Sequence, residues 1–322
     1  MVLDSLVLQF ANYAVPATLL VLVSLGLNLQ WGKTGLFNAG VAGFMGIGAY
    51  TFGMLSTGRF ADPVTNWYHA GPPVPFDIVS SALIAMVIAG LFGIAVAIPT
   101  LRLRADYLAI ATLALAEIVR LILKNERRLT GGDLGLGFVP RPLEGFIPRG
   151  WSSDGAFVVV ALAATLLVFV VLEFMSRAPW GRALRAVRED EEAAEALGKN
   201  AFRLKLSAFG IGCGIMGLAG ALQASFNGSV HPDSYAAFAT FNTYVVVILG
   251  GSGHHRGVIL GGYLFYLFGW TSQQLKAYVP TDWALRIDFI NQIVIGLLLI
   301  LFILFRPEGI LPEPKYVPRK EA

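Results

Sequence analysis

Charge is what this chain of 322 residues has least of: 14% of it is Asp, Glu, Lys or Arg. An ordinary soluble domain carries about 25%. Hydrophobic residues make up 56%, and the mean hydropathy is +0.66. A soluble enzyme or binding domain is excluded by that balance. Cysteine is almost missing as well. With Cys213 alone, inside an apolar run, the chain has no intrachain disulfide and no cysteine metal cluster. Alternating ten-residue segments, the mark of a membrane β-barrel, are absent. So are HExxH, the nucleotide-binding P-loop and the dinucleotide fingerprint, so we expect no ATPase in the chain and no enzyme activity of its own. Residues 1–27 lack a basic n-region and run straight into a further apolar segment, which argues against a cleaved signal peptide. The net charge of +3 is too small to suggest a nucleic-acid partner and reads as membrane topology.

Long apolar runs are what the chain does have. Crossing about 30 Å of hydrocarbon takes roughly 20 residues of helix. Nine intervals qualify as spans: 6–27, 36–56, 78–100, 107–123, 155–176, 204–226, 239–252, 258–276 and 289–305. The expected class is an all-α integral membrane protein, a polytopic helical bundle forming one transmembrane domain over 1–322. Glycines crowd two of the spans, at 40–48 and 210–220, as they do where membrane helices approach closely. With the C-terminus cytoplasmic, the inside segments hold fifteen Lys and Arg and the outside segments seven. That bias predicts the N-terminus outside and the C-terminus inside. The five positive residues of the 124–153 loop oppose it. Loops 57–77, with its rigid Gly71-Pro72-Pro73, 124–153 and 227–238 would then face outward.

One interval breaks the apolar pattern. Residues 177–206 carry seven Lys or Arg and five acids. Leu184, Val187, Ala194 and Leu197 nevertheless recur at helical spacing, so the interval reads as amphipathic helix lying in water beside the bilayer. Asp190 can cap its second segment, with Glu191 and Glu192 in the first turn and Gly198 at the end. A docking surface is the simplest account, with its core at Asp190–Gly198.

Polar residues inside the spans are expensive and mark candidate sites. Glu117 and Arg120 share a helical face. They either line a substrate path or form an ion pair that orients the helix at the membrane edge. Asn28, Gln30, Lys33, Thr34 and Asn38 surround the break between the first two spans. Irregular backbone at membrane depth must be covered by protein or face a water-filled cavity. Asn28 and Asn38 are therefore pathway candidates, whereas Lys33 and Thr34 read as an ordinary turn. Gly250-Gly251-Ser252-Gly253 followed by His254 and His255 fits the GxSG of rhomboid-type intramembrane proteases. Adjacent positions do not bring a base onto the serine, so a turn is the better reading.

The residues of the polar interval resemble those of a known family. Glu192-Ala193-Ala194-x-x-x-Gly198 is similar to the start of the EAA loop by which ABC-importer permeases dock their ATPases. GLNLQWGKTGLFNAGVAGFMGIGAYT (26–51), LTGGDLGLGFVPRP (129–142), REDEEAAEALGKNAFRLKLSAF (188–209), GLAGALQASFNGSVHPDSY (217–235) and LFRPEGILP (304–312) resemble the LivM type of branched-chain amino-acid permease. The downstream I-x-L-P of the general EAA loop is missing. The turn GSGHHRG (251–257) departs from the family's G-x-G-T-L-W-G.

The resemblance implies an importer subunit in a bacterial or archaeal cell (inner) membrane. Its partners would be a LivH-like second permease subunit, two cytoplasmic ATPase subunits and an extracytoplasmic substrate-binding protein, with membrane lipid around it. ATP would be used by the partners, and no cofactor is expected here. Residues 177–206 would be the coupling element, with Arg185, Arg188, Asp190, Glu192, Ala193, Ala194 and Gly198 at the ATPase. Thr130, Gly131, Gly132 and Asn227 join Asn28, Asn38, Glu117 and Arg120 as expected pathway residues. Branched-chain amino acids are the expected substrate. Urea, short amides, sugars and nucleosides, carried by related importers, are the alternatives. A stand-alone secondary transporter would need an ion-coupling carboxylate such as Glu117 or Glu173 and leaves 177–206 unexplained.

Overall fold

The computed structural model describes residues 2–57, 78–141, 153–275, 286–306 and 308–313. Gly71-Pro72-Pro73, His69 and most of the 57–77 loop lie outside them. Among the described residues, nine long helices occupy the nine apolar intervals: α1 (Val2–Leu27), α2 (Val41–Ser56), α3 (Ile78–Thr100), α4 (Ala105–Asn125), α6 (Ser153–Arg177), α9 (Ala201–Asn227), α10 (Ala237–Gly250), α11 (His255–Leu275) and α12 (Ile287–Phe305). The short helices α5 (Arg127–Thr130), α7 (Pro179–Glu189) and α8 (Glu191–Ala196) fill the polar intervals. Four stretches are long and apolar enough to cross a membrane: Tyr13–Gly32, Ile78–Thr100, Gly155–Arg177 and Ala201–Asn227.

Helix α9 is the hub, with α1, α2 and α3 packed along it. The glycines make this possible. A Cβ on Gly48 of α2 would overlap the backbone of Gly217 in α9, and one on Gly220 would overlap the Met45 carbonyl. Gly217 also presses on Ala89 of α3. In lipid no hydrophobic force draws helices together, so backbone-to-backbone approach supplies the dispersion contact that does. Cys213 is fully buried in the same seam, against Gly93. The outer faces of α3, α6 and α12 are the reverse. They expose Val79, Leu83 and Leu91, then Leu166 and Phe174, then Ile293, Ile300 and Leu304. A band of that kind suits lipid or a neighbouring membrane subunit.

Two expectations need correction. The second span was expected from 36 but its helix starts at Val41. Gly35 has φ +71°, and the Asn38 side chain takes the Gly40 N–H at 2.9 Å, so the chain turns before it coils. The 177–206 interval has the expected second segment capped by Asp190, but its four apolar residues do not share one buried face. At Asp190 the backbone is extended (φ −153°, ψ 105°), which resets the helical phase. Leu184, Val187 and Ala194 are buried as expected, but Leu197 is 81% exposed.

The opposite end is joined by a two-residue antiparallel pairing, Leu136 with Val230 and Gly137 with Ser229. It ties the segment after α4 to the segment after α9, and Leu136 packs on Gly53 of α2.

Replacing Gly220 with valine should force α2 off α9. The expected cost of over-packing is about 1–3 kcal/mol, visible as a thermal midpoint lowered by several degrees in detergent. An unchanged midpoint would show that the crossing is not tight.

Candidate functional site

Three assemblies of polar side chains stand out, and the first is built on α7 and α8. Pro179 starts α7, where its missing N–H costs nothing. Asp190 accepts from the Ala193 N–H at 2.9 Å and so caps α8. Gly198, at φ +76°, ends α8 by turning its own N–H onto Glu195 O at 2.8 Å. Val187, Ala194 and Ala201 close a small core that holds the two helices together. Everything else on the tip faces outward: Glu191, Glu192, Ala193, Glu195, Ala196 and Leu197 are all exposed. Arg188 differs from its neighbours in pointing inward. It donates to the Gly32 carbonyl, and to Glu313 Oε2 at 2.8 Å. Lys33 takes the other oxygen of Glu313 at 2.9 Å. Arg185 is half-buried beside them.

The second assembly seals the break after α1. The chain leaves α1 through one π-turn, Asn28–Gly32, and then runs irregularly to Val41. Asn28, Gln30 and Asn38 are all fully buried here. Asn28 Oδ1 accepts from the Gly253 N–H at 2.7 Å, which leaves its NH2 facing His255 Nδ1 at 3.0 Å. The ring nitrogen on that side must therefore accept. The opposite nitrogen, Nε2, then carries the proton and donates to Ser176 Oγ at 2.9 Å. Gln30 Nε2 donates to Phe209 O at 2.8 Å, and Gln30 Oε1 accepts from Asn38 Nδ2 at 2.8 Å. Tyr244 OH donates to Asn38 O at 2.9 Å. These amides replace a helical ladder that the break has removed, so the side chains of Asn28 and Asn38 are committed to bracing the chain itself. His255 is a fixed strut, with both ring nitrogens committed to Asn28 and Ser176 and neither to Ser252.

The third assembly lies at the other end of α2. Arg120 holds Glu117 and reaches Asp233 at 2.7 Å, while Lys124 bonds Asp133 at 3.0 Å and Asp233 at 3.2 Å. Asp233 was missed from the sequence because it sits 113 residues from Arg120. The cluster clamps α4 to the turns at Gly132–Leu134 and Pro232–Tyr235. Thr130 is 4% exposed and gives its hydroxyl to Leu123 O at 2.6 Å. Gly131 and Gly132 take φ of +78° and +64°. The Thr-Gly-Gly segment is thus the hinge of a turn. Between the two ends, α1, α2, α9, α10 and α11 enclose a cavity of about 310 Å³. Asn227 lines it, and of the eight expected pathway residues it alone does so.

A family model described as the permease component of the branched-chain amino acid transport system matches residues 9–303. The match runs through all three assemblies. The chain belongs to this family of permeases. It is 32% identical over 317 residues to the high-affinity branched-chain amino acid transport system permease protein LivM of Escherichia coli (strain K12), covering 91% of this chain and 67% of the relative. A probable LivM of Methanocaldococcus jannaschii is 30% identical over 318 residues, 91% of this chain and 90% of that one. LivH of Escherichia coli (strain K12), named for the same transport system, is 25% identical over 316 residues, 95% of this chain and 96% of LivH. No solved structure matches.

In this permease the polar interval is anchored from both sides. Ser176, on the last turn of α6, is linked through His255 to Asn28. Arg188, near the end of α7, is linked to Gly32 directly and to Lys33 through Glu313. The C-terminal segment is a strap over this end. Ile310 and Leu311 pair with Leu249 and Gly250 at 2.9 and 3.1 Å and so deliver Glu313 to its two cations. Sequence distance hid this too, since Lys33 and Glu313 are 280 residues apart.

Burial pushes the Glu313 carboxyl up, but the hydrogen bonds and charges of Lys33 and Arg188 outweigh it and hold the group below its ordinary value. Lys33 is lowered too, first by burial and only partly restored by Glu313. The two cations account for the direction at Glu313, whereas burial, helped by the charges of Arg185 and Arg188, accounts for that at Lys33. A depressed carboxyl adds stability that is full above its unfolded value, about 4.3, and is lost as pH falls through the folded one. Glu313→Gln should therefore cost about 2 kcal/mol at pH 7. The gap from wild type should close on acidification below about pH 4. Thermal midpoints across that range in detergent check it, and a gap independent of pH would disprove the role of the ionised carboxylate.

Proposed function

We propose that the chain is the membrane permease subunit of an ATP-driven importer of branched-chain amino acids. In this reading the nine long helices cross the membrane, with the N-terminus outside and the C-terminus in the cytoplasm. A second, LivH-like permease subunit completes the path, two ATPases sit on the cytoplasmic face, and a binding protein delivers substrate from outside. The helix pair α7–α8 is the coupling element. Family membership supports the transport role. The observation that carries the docking role is the tip of α8: Leu197 stands 81% exposed among charged residues, while the larger aliphatic residues of α7, Leu184 and Val187, are buried. A large aliphatic side chain held out in water on a short, capped helix fits a groove on a soluble partner.

Coupling then has a physical route. A push on α8 passes to α7 through the Val187–Ala194–Ala201 contact. From α7 it reaches the break by Arg188 at Gly32, and from α6 by Ser176–His255–Asn28. The break is the natural hinge, because a π-turn followed by irregular backbone is held by side chains and not by a continuous ladder. Its movement tilts α1 against α2, and both helices wall the cavity. Glu192 and Arg185 remain candidate contacts of the ATPase, whereas Arg188 acts from behind.

Leu197→Asp tests this without disturbing the fold, because the side chain packs against nothing in the chain. The variant permease should insert and purify normally, fail to retain the two ATPases, and lose ATP-dependent leucine uptake in proteoliposomes by about tenfold or more. Normal ATPase retention and uptake would rule out α8 as the docking element.

A further inference from the structure

An apolar groove opens where α10, α11 and α12 meet the C-terminal strap. Two adjoining recesses make it. The first, of about 230 Å³, is walled by apolar side chains alone, among them Leu249, Phe268 and Leu299. The second, of about 320 Å³, shares Leu298, Phe302 and Ile310 with it and ends at Phe305 and Arg306. Leu264, Leu298, Leu301 and Phe305 are exposed, so the groove is open to whatever surrounds the bundle. On α12 the lining residues Ile295, Leu298, Phe302 and Phe305 recur at helical spacing and form one stripe. From Ile295 to Arg306 that stripe covers about 16 Å of helix. It ends on a cation. Arg306 is exposed just past α12, and no ion pair holds its guanidinium among the described residues. Lys315, Arg319 and Lys320 follow it in the sequence.

We propose that this groove is a binding site for an anionic membrane lipid, with one hydrocarbon chain lying along α12 and the phosphate meeting Arg306. This rests on the reading that α12 crosses the membrane with its C-terminus in the cytoplasm, and adds a ligand to it. Length selects the occupant. One leaflet supplies half of the hydrocarbon core, about 15 Å, and the stripe matches that. A helix from a neighbouring subunit crosses both leaflets and needs a seam about twice as long. Residues 313–322, EPKYVPRKEA, have no apolar run to lay in the groove. Charge selects the headgroup. A guanidinium offers paired donors to phosphate oxygens, and the cytoplasmic leaflet is where anionic lipids gather. A zwitterionic headgroup carries its own cation, which offsets the attraction. Ile310 lines both recesses and pairs with Leu249, so a chain held there packs on the strap that delivers Glu313 to Lys33 and Arg188.

The test uses the assembled permease complex in detergent, titrated with phosphatidylglycerol or with phosphatidylcholine of the same chains and read by native mass spectrometry. Wild type should retain phosphatidylglycerol about fivefold better, the share of one cation near a charged surface. Arg306→Gln changes an exposed side chain and should bring the two lipids level. Leu298→Trp fills the wall that the two recesses share and should cut retention of both. A phosphatidylglycerol with a diazirine on its chain should mark residues of the groove wall in wild type and spare them in Leu298→Trp. Equal retention of the two lipids by wild type overturns the proposal. So does a preference that survives Arg306→Gln, or a crosslink confined to residues outside the groove. Loss of the second permease subunit from Leu298→Trp, with lipid retention unchanged, overturns it too and assigns the groove to that subunit. The readout is binding, so its outcome is separate from whether the complex imports leucine.

Discussion

The rest of the structure depends on how the backbone is satisfied where α1 stops being a helix. A bilayer offers no water to the amide and carbonyl groups of irregular chain, so residues 28–40 stand only because side chains take the place of the missing ladder. Three buried amides do this, and each reaches a different neighbour: Asn28 the turn before α11, Gln30 the middle of α9, and Asn38 the loop itself at Gly40. The break is thereby rigid in this conformation and dependent on two other parts of the chain at once. That is the property a hinge under remote control needs.

The struts at this end of the bundle follow from it. Arg188 and the Ser176–His255 pair tie the ends of the polar interval to the same few residues of the break, and the C-terminal strap brings Glu313 in as a shared counter-ion. A flexible linker could not carry a two-state bias across such a distance, but a chain of packed and hydrogen-bonded groups can. The opposite end is held differently. There an exposed cluster of Arg120, Lys124, Asp133 and Asp233 joins two loops. Exposed ion pairs are individually weak.

Between these ends the glycine seam of α9 and the polar cavity divide the interior into a part that cannot yield and a part that can. The α2–α9 crossing is backbone against backbone, so α2 and α9 move together. The cavity sits where α1, α10 and α11 close over that unit.

Much was legible in the chain itself. Periodicity and run length located all nine long helices, because a membrane span is set by local apolarity alone. Asp190 and Gly198 as the ends of α8 were equally readable, since caps act over three or four residues. The glycine clusters announced close packing. Phase was the first thing to fail: α8 ends at Ala196, so Leu197 lies just past it and faces outward although Ala194 is buried. Partnership was the second. That Asn28 answers to His255, Lys33 to Glu313 and Arg120 to Asp233 depends on which helices meet, over separations of 227, 280 and 113 residues. Polar residues in apolar runs read alike whether they bind substrate or brace the chain, because the sequence records their cost and not their partners. Only the packing of α1, α9 and α11 showed that the amides of Asn28 and Gln30 are used up in bracing the break.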